Sequence, residues 1–132
     1  MDPEPGSCPR RLKPCPGTPN CVSSLSSDPG HAIDPIAFSG PAAEARRRLH
    51  DIIRAMPRAK IVDEQDDYLR AEFQSLLWRF VDDVEFLIDE EHNRIQVRSA
   101  SRTGYWDLGV NRRRVEEIRR RMAMNASKEA EP

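Results

Sequence analysis

The fold is decided by residues 83–98, Asp83-Val84-Glu85-Phe86-Leu87-Ile88-Asp89-Glu90-Glu91-His92-Asn93-Arg94-Ile95-Gln96-Val97-Arg98. Val84, Phe86 and Ile88 alternate with Asp83, Glu85, Leu87 and Asp89. After a polar turn over residues 90–93, Ile95 and Val97 alternate with Arg94, Gln96 and Arg98. Successive side chains on a strand point to opposite faces, so this stretch reads as two antiparallel strands with one face in a core and one face wet.

Upstream the pattern continues. Leu69, Ala71 and Phe73 share one face while Tyr68, Arg70 and Glu72 take the other, and a short strand-like run over 59–63 leads into an acidic turn at 64–67. Residues 74–81 are too apolar for an ordinary tight turn and are expected to extend both middle strands or to form a bulge. Before the strands, Ser39 or Gly40 can cap a helix with Pro41 in its first turn. Ala42, Ala45, Leu49, Ile52, Ile53 and Met56 then recur at helical spacing, with Glu44, Arg46, Arg47 and Arg48 on the other face, until Pro57 stops the run. After the strands a second helix starts near Asn111, where Val115, Ile118 and Met122 form a narrow apolar stripe among six arginines, 112–114 and 119–121. The order α-β-β-β-β-α predicts an α+β domain: a four-stranded antiparallel meander with both helices packed on one face.

Nine of the eleven prolines lie at or before position 41, which disfavours regular structure there. Residues 1–13 therefore read as a disordered tail, 14–38 as an irregular arm lying on the domain, 39–124 as the single domain, and 125–132 as a second disordered tail. The 132 residues are 33% charged and 38% hydrophobic, with a net charge of −1. That balance suits one polar globular domain and argues against general attraction to nucleic acid or membrane. No stretch approaches the roughly 18 apolar residues of a membrane span. The N-terminus lacks the apolar core of a secretory signal, so a soluble protein, cytoplasmic by default, is the expectation.

The charge is unevenly distributed. Residues 63–91 carry eleven acids and two bases, a net of −9, while residues 94–121 carry nine arginines and three acids, a net of +6. The two blocks either face each other or form opposite solvated surfaces.

The most site-like stretch is 98–111, joining the last strand to the last helix. It brings Arg98, Ser99, Ser101, Arg102, Tyr105, Asp107 and Asn111 within short reach of Arg114, and Gly104 and Gly109 allow sharp turns. Arginine grips carboxylate or phosphate through two parallel hydrogen bonds. A helix start adds unpaired amides and partial positive charge, with Asn111 a good N-cap. The acid that answers this charge is either a ligand or partner segment, or one of the chain's own: Asp82, Asp83, Glu85 or Asp107. Asp82 and Asp83 fall on opposite faces of a strand, so one inward carboxylate pairing with an arginine of 98–102 is the expected anchor. Tyr105 and Trp106 either stack on a ligand or plug the core.

Other chemistry has less support. Cys15 and Cys21, five residues apart with Pro16 and Pro19 between, either close a disulfide or remain reduced thiols; Cys8 has no evident partner. Two cysteines and three scattered histidines (His31, His50, His92) have no zinc spacing, and no metal or cofactor is expected. There is no Gly-x-Ser-x-Gly elbow, Walker loop or Gly-x-Gly-x-x-Gly run. Three functions stay open. The first is a non-enzymatic binding or accessory module holding a small anionic ligand or an acidic protein partner at 98–111. The second is a small hydrolase- or transferase-like enzyme with Asp83 or Asp107 as base and Arg98 and Arg102 as clamps. The third is a nucleic-acid or membrane-surface binder using the last helix, against which the acidic strands and the lack of stacking aromatics stand.

Three separated motifs carry a resemblance: Cys-Pro-Gly-Thr-Pro-Asn-Cys-Val-Ser-Ser (15–24), Phe-Val-Asp-Asp-Val-Glu-Phe (80–86) and Arg-Ser-Ala-Ser-Arg-Thr-Gly-Tyr-Trp-Asp-Leu-Gly-Val-Asn-Arg-Arg-Arg-Val-Glu (98–116). In this order they resemble the family catalogued as domain of unknown function 1499, from about Cys15 to Met122. The resemblance implies no assigned biochemistry. It does imply relatives that are often exported, membrane-anchored or plastid proteins.

Overall fold

The computed structural model describes residues 12–75, 80–103 and 107–130. The chain order is β1 (Cys21–Ser23), β2 (Ile36–Ala37), α1 (Ala42–Ala55), β3 (Ala59–Glu64), β4 (Tyr68–Gln74), β5 (Val81–Asp89), β6 (Arg94–Ser101) and α2 (Val110–Ala130). The fold is α+β. β3 to β6 form the antiparallel meander read from the alternation, in the sheet order β1-β6-β5-β4-β3. No helix among the described residues is long and apolar enough to cross a membrane.

Among the described residues the sheet has six strands rather than four, because the arm adds two. β1 pairs with the end of β6 (Cys21 opposite Ala100) and β2 with its start (Ile36 opposite Ile95). Both additions are two or three residues long and lie between prolines. Proline is tolerated beside an edge strand, where its missing N–H breaks no ladder bond, and β6 supplies the pairing template.

Both helices pack with Leu69, Ala71, Phe73, Val84, Phe86, Ile88, Ile95 and Val97 in one core. α1 begins differently from the sequence expectation. Pro41 itself is the N-cap residue, without a side-chain cap bond, and Gly40 turns the chain at φ 81°. Met56 then takes ψ 142°, the extended state that a residue before proline favours, and ends the helix. Arg48 was expected on the solvated face but is buried, its guanidinium reaching the Ser39 carbonyl at 3.2 Å. In α2 the stripe Val115, Ile118 and Met122 is buried as read. The helix runs to Ala130, where a disordered tail was expected from 125; Ala126, Lys128, Glu129 and Ala130 are good helix formers. At the other end Leu12, assigned to the first tail, is buried.

The β4–β5 hairpin keeps its pairing to Gln74 opposite Val81 and is closed by the Ser75 N–H donating to the Phe80 carbonyl at 2.8 Å. Residues 76–79 of the apolar stretch lie outside the described residues.

Candidate functional site

Register places the site residues on two faces of the sheet. Asp82 pairs with Ser101 and Val84 with Ser99, so Asp82, Ser99 and Ser101 face the helices; Asp83, Glu85 and Arg98 face away. The residues gathered from the sequence into one candidate site therefore form two clusters.

The helix-side cluster is buried. Asp82 takes Arg114 from the first turns of α2, with Nη2 to Oδ2 at 2.8 Å, and the Arg114 guanidinium lies over the Phe73 ring, 4.7 Å from its centroid. Arg114 Nη1 also donates to Asn111 Oδ1 at 2.9 Å and to Ser99 Oγ at 3.3 Å. Burial pushes the Arg114 guanidinium below its ordinary pKa, and the carboxylates of Asp82 and Asp107 act against that fall.

Asn111 is the hub. It is fully buried, and its Oδ1 accepts the Ser99 hydroxyl at 2.6 Å. Its Nδ2 donates to Asp107 Oδ2 at 2.8 Å, Ser101 Oγ at 3.1 Å and the Asn20 carbonyl at 3.2 Å. Asn111 thus sits inside the helix rather than capping it. Asp107 caps instead, accepting the Gly109 N–H at 2.8 Å through Oδ1 and the Asn111 N–H at 3.2 Å through Oδ2. The turn between them needs two left-handed residues, Leu108 at φ 55° and Gly109 at φ 78°; a Cβ on Gly109 would also meet Arg113 Nη1 at 3.0 Å. The anion-favouring end of α2 is therefore filled by a carboxylate of the chain itself.

The opposite cluster is more open at Arg102. Arg102 holds Asp83 through two bonds, Nε to Oδ2 at 2.7 Å and Nη2 to Oδ1 at 2.9 Å, and reaches Glu72 Oε2 at 2.6 Å. These two acids raise the Arg102 pKa, Asp83 the more strongly. Arg98 lies 3.7 Å from Glu85, which accepts the Tyr68 hydroxyl at 2.6 Å; burial, then Glu85, pushes the Tyr68 phenol up.

Cys15 and Cys21 are joined in a disulfide, with their Cα atoms 5.7 Å apart. Inside that loop Thr18 Oγ1 donates to Asn20 Oδ1 at 2.7 Å, and the Asn20 carbonyl accepts the Ser101 N–H at 3.0 Å as well as Asn111. Asn20 and Phe73 are partners the loop-centred reading missed; Asn20 does lie in the first of the three quoted motifs. Tyr105, with Gly104 and Trp106, and Cys8 lie outside the described residues.

The three motifs at 15–24, 80–86 and 98–116 thus meet at one corner, where the stapled arm, the start of β5 and the β6–α2 junction share hydrogen bonds. The chain belongs to the family described as a protein of unknown function (DUF1499). The family's model matches residues 11–122, so the family unit includes the arm as well as the meander and most of α2. Comparison with curated proteins and with solved structures finds no match.

What this corner can do follows from its bonding. Ser99 gives its proton to Asn111 and accepts from Arg114, so no base is placed to activate it. The histidines pair elsewhere: His31 with Asp28, His50 with Glu64, His92 with Asp89. Among the described residues no group of three or more His, Cys, Asp or Glu could hold a metal ion.

Proposed function

We propose that the protein is a non-enzymatic binding or accessory module that engages an acidic partner segment at the outer end of the 98–111 loop. One observation carries the reading: Leu108 is 82% exposed while its backbone sits at φ 55°. A left-handed conformation costs a non-glycine residue about 1–2 kcal/mol, and an exposed leucine recovers none of that from the core. Val110 is also exposed, and Arg112 and Arg113 follow it. Arg112 donates to the Ala32 carbonyl at 2.8 Å and Arg113 to the Leu108 carbonyl at 2.7 Å, and among the described residues no acid pairs with either. An acidic segment carrying an apolar side chain complements both features.

A small anion gripped within the loop has thinner support, since Arg98, Arg102 and Arg114 each face an acid of this chain. An enzyme using Asp83 or Asp107 as base would have to free it from Arg102 or from the helix cap. Further along α2, Arg119 pairs with Glu116, and Arg120 and Arg121 with Glu117, which reduces the charge offered to phosphates.

A displayed library of acidic, leucine-containing peptides tests the proposal. Selected peptides should lose affinity about tenfold or more for Leu108→Asp and for Arg113→Glu. They should bind folded Arg102→Ala unchanged and weaken with salt. The reading gives way to a small-anion site if Leu108→Asp selects the same peptides. It also gives way if phosphate, nucleotides or dicarboxylates raise the melting temperature of the wild type and not of Arg102→Ala.

A further inference from the structure

His31 sits in the arm, buried, with both ring nitrogens engaged. Nδ1 lies 2.7 Å from Asp28 Oδ2 and Nε2 lies 2.8 Å from the Thr18 carbonyl. A carbonyl has no proton to give, and the Asp28 carboxyl is held ionised, below its usual pKa, first by the Gly30 N–H and then by His31. Two acceptors can be satisfied together only if both nitrogens donate, which requires the imidazolium. The backbone prevents the ring from simply drifting off: the His31 N–H donates to the Asp28 carbonyl at 2.9 Å, and the His31 carbonyl accepts from Ser23 in β1 at 2.8 Å.

The partner across the ring is the part that matters. Thr18 is at the tip of the Cys15–Cys21 loop, its hydroxyl holds the Asn20 side chain, and the Asn20 carbonyl accepts from both Ser101 and Asn111. A line of hydrogen bonds therefore runs from His31 through Thr18 and Asn20 to the β6–α2 corner. We propose that His31 is a proton-operated latch: as an imidazolium it clamps the disulfide loop to the arm, and on deprotonation it loosens Asn20 from Ser101 and Asn111. A neutral ring leaves one nitrogen lone pair facing an oxygen at under 3 Å, which is repulsive, and withdrawal of the loop tip relieves it.

Among the described residues few charged side chains face this site. Lys13 and Asp28 line the cavity of about 350 Å³ that His31 borders, together with the disulfide's Cys15, and Arg112 from α2 reaches the neighbouring Ala32 carbonyl. The Thr18 carbonyl, then Asp28, favour protonation while burial opposes it, and the His31 pKa is raised. The sign follows: the latch is closed below the ordinary histidine value of about 6.5 and opens as pH rises through the raised value. This inference concerns the arm and does not depend on the partner proposed above.

The test is an NMR titration of the full chain, disulfide intact, from about pH 5 to about pH 9, reading the His31 ring and the amides of Thr18, Asn20, Ser101 and Asn111. The ring midpoint should lie above about 6.5, and the four amides should shift with that same midpoint. The Ser101 protection factor, corrected for intrinsic exchange, should fall about tenfold across it. His31→Gln should abolish the shared midpoint. His50→Gln and His92→Gln serve as controls, since among the described residues each ring faces one acid through Nδ1 alone; both should leave the shared midpoint in place. Amides that stay flat while His31 titrates, or that shift equally in His31→Gln, overturn the latch, as does a His31 midpoint at or below the ordinary value. Should His31→Gln not fold, the wild-type titration decides alone.

Discussion

Asp82 and Asp83 are consecutive residues of one strand, and each holds an arginine from the β6–α2 region at nearly the same distance, 2.8 Å for Arg114 and 2.7 Å for Arg102. The pleat sends them to opposite sides of the sheet. In the helix-side pair the side chains are 10% and 13% exposed, and the guanidinium is enclosed by Phe73, Ser99 and Asn111. In the other pair they are 24% and 44% exposed. Two ion pairs at nearly equal distances therefore carry different weight. The buried one is costly to break, because either partner alone would be an uncompensated charge away from water. Solvent screens the exposed one, however strongly its two acids hold the Arg102 proton.

The comparison breaks most readily at Arg114. Arg114→Met keeps contact with Phe73 but strands Asp82 and removes a donor from Ser99 and Asn111; urea unfolding at neutral pH should show a loss of about 3–5 kcal/mol. Asp82→Leu with Arg114→Met should recover most of that loss, since an apolar pair of similar volume replaces both charges. A single-variant cost below about 1 kcal/mol would mean the cluster is not a lock. Asn111→Leu comes next. It leaves the Ser99 hydroxyl and the Asn20 carbonyl each short of a buried partner, and thermal unfolding should report a loss of about 2–4 kcal/mol. A loss under about 0.5 kcal/mol would mean that water reaches the cluster.

The meander was legible because one buried face imposes period two on each strand, and residues 83–98 could not be paired out of register without exposing Val84, Phe86, Ile95 and Val97. The arm's strands were not legible. Two or three residues carry no period, and what makes them strands is the unpaired edge of β6. The site was partly legible: 98–111 is the right junction, but face assignment separates Arg98 and Arg102 from Ser99, Asn111 and Arg114. Helical spacing did hold a further signal. Asn111 lies three residues before Arg114 and four before Val115, so it shares the side of the helix that Ile118 and Met122 bury, and Arg114 is the one arginine of 112–114 closest to that stripe. Choosing Asp107 over Asn111 as the cap required the left-handed turn at Leu108 and Gly109, which a leucine does not announce.

The smallest effect belongs to Arg102, and it is the sharper test of the comparison because its geometry is the better of the two. Arg102→Ala removes the fork on Asp83 and the bond to Glu72, while Arg70 stays 3.4 Å from Asp83 and the residue-102 N–H still donates to the Val81 carbonyl. The loss should be the smallest of the three in low salt and should shrink further in about 1 M NaCl, where the Debye length falls to about 3 Å. The Asp82–Arg114 loss should hardly respond to the same salt, because ions do not enter a packed core. If both losses respond alike, burial is not what separates the pairs, and Asp82 is more open to solvent than its neighbours allow.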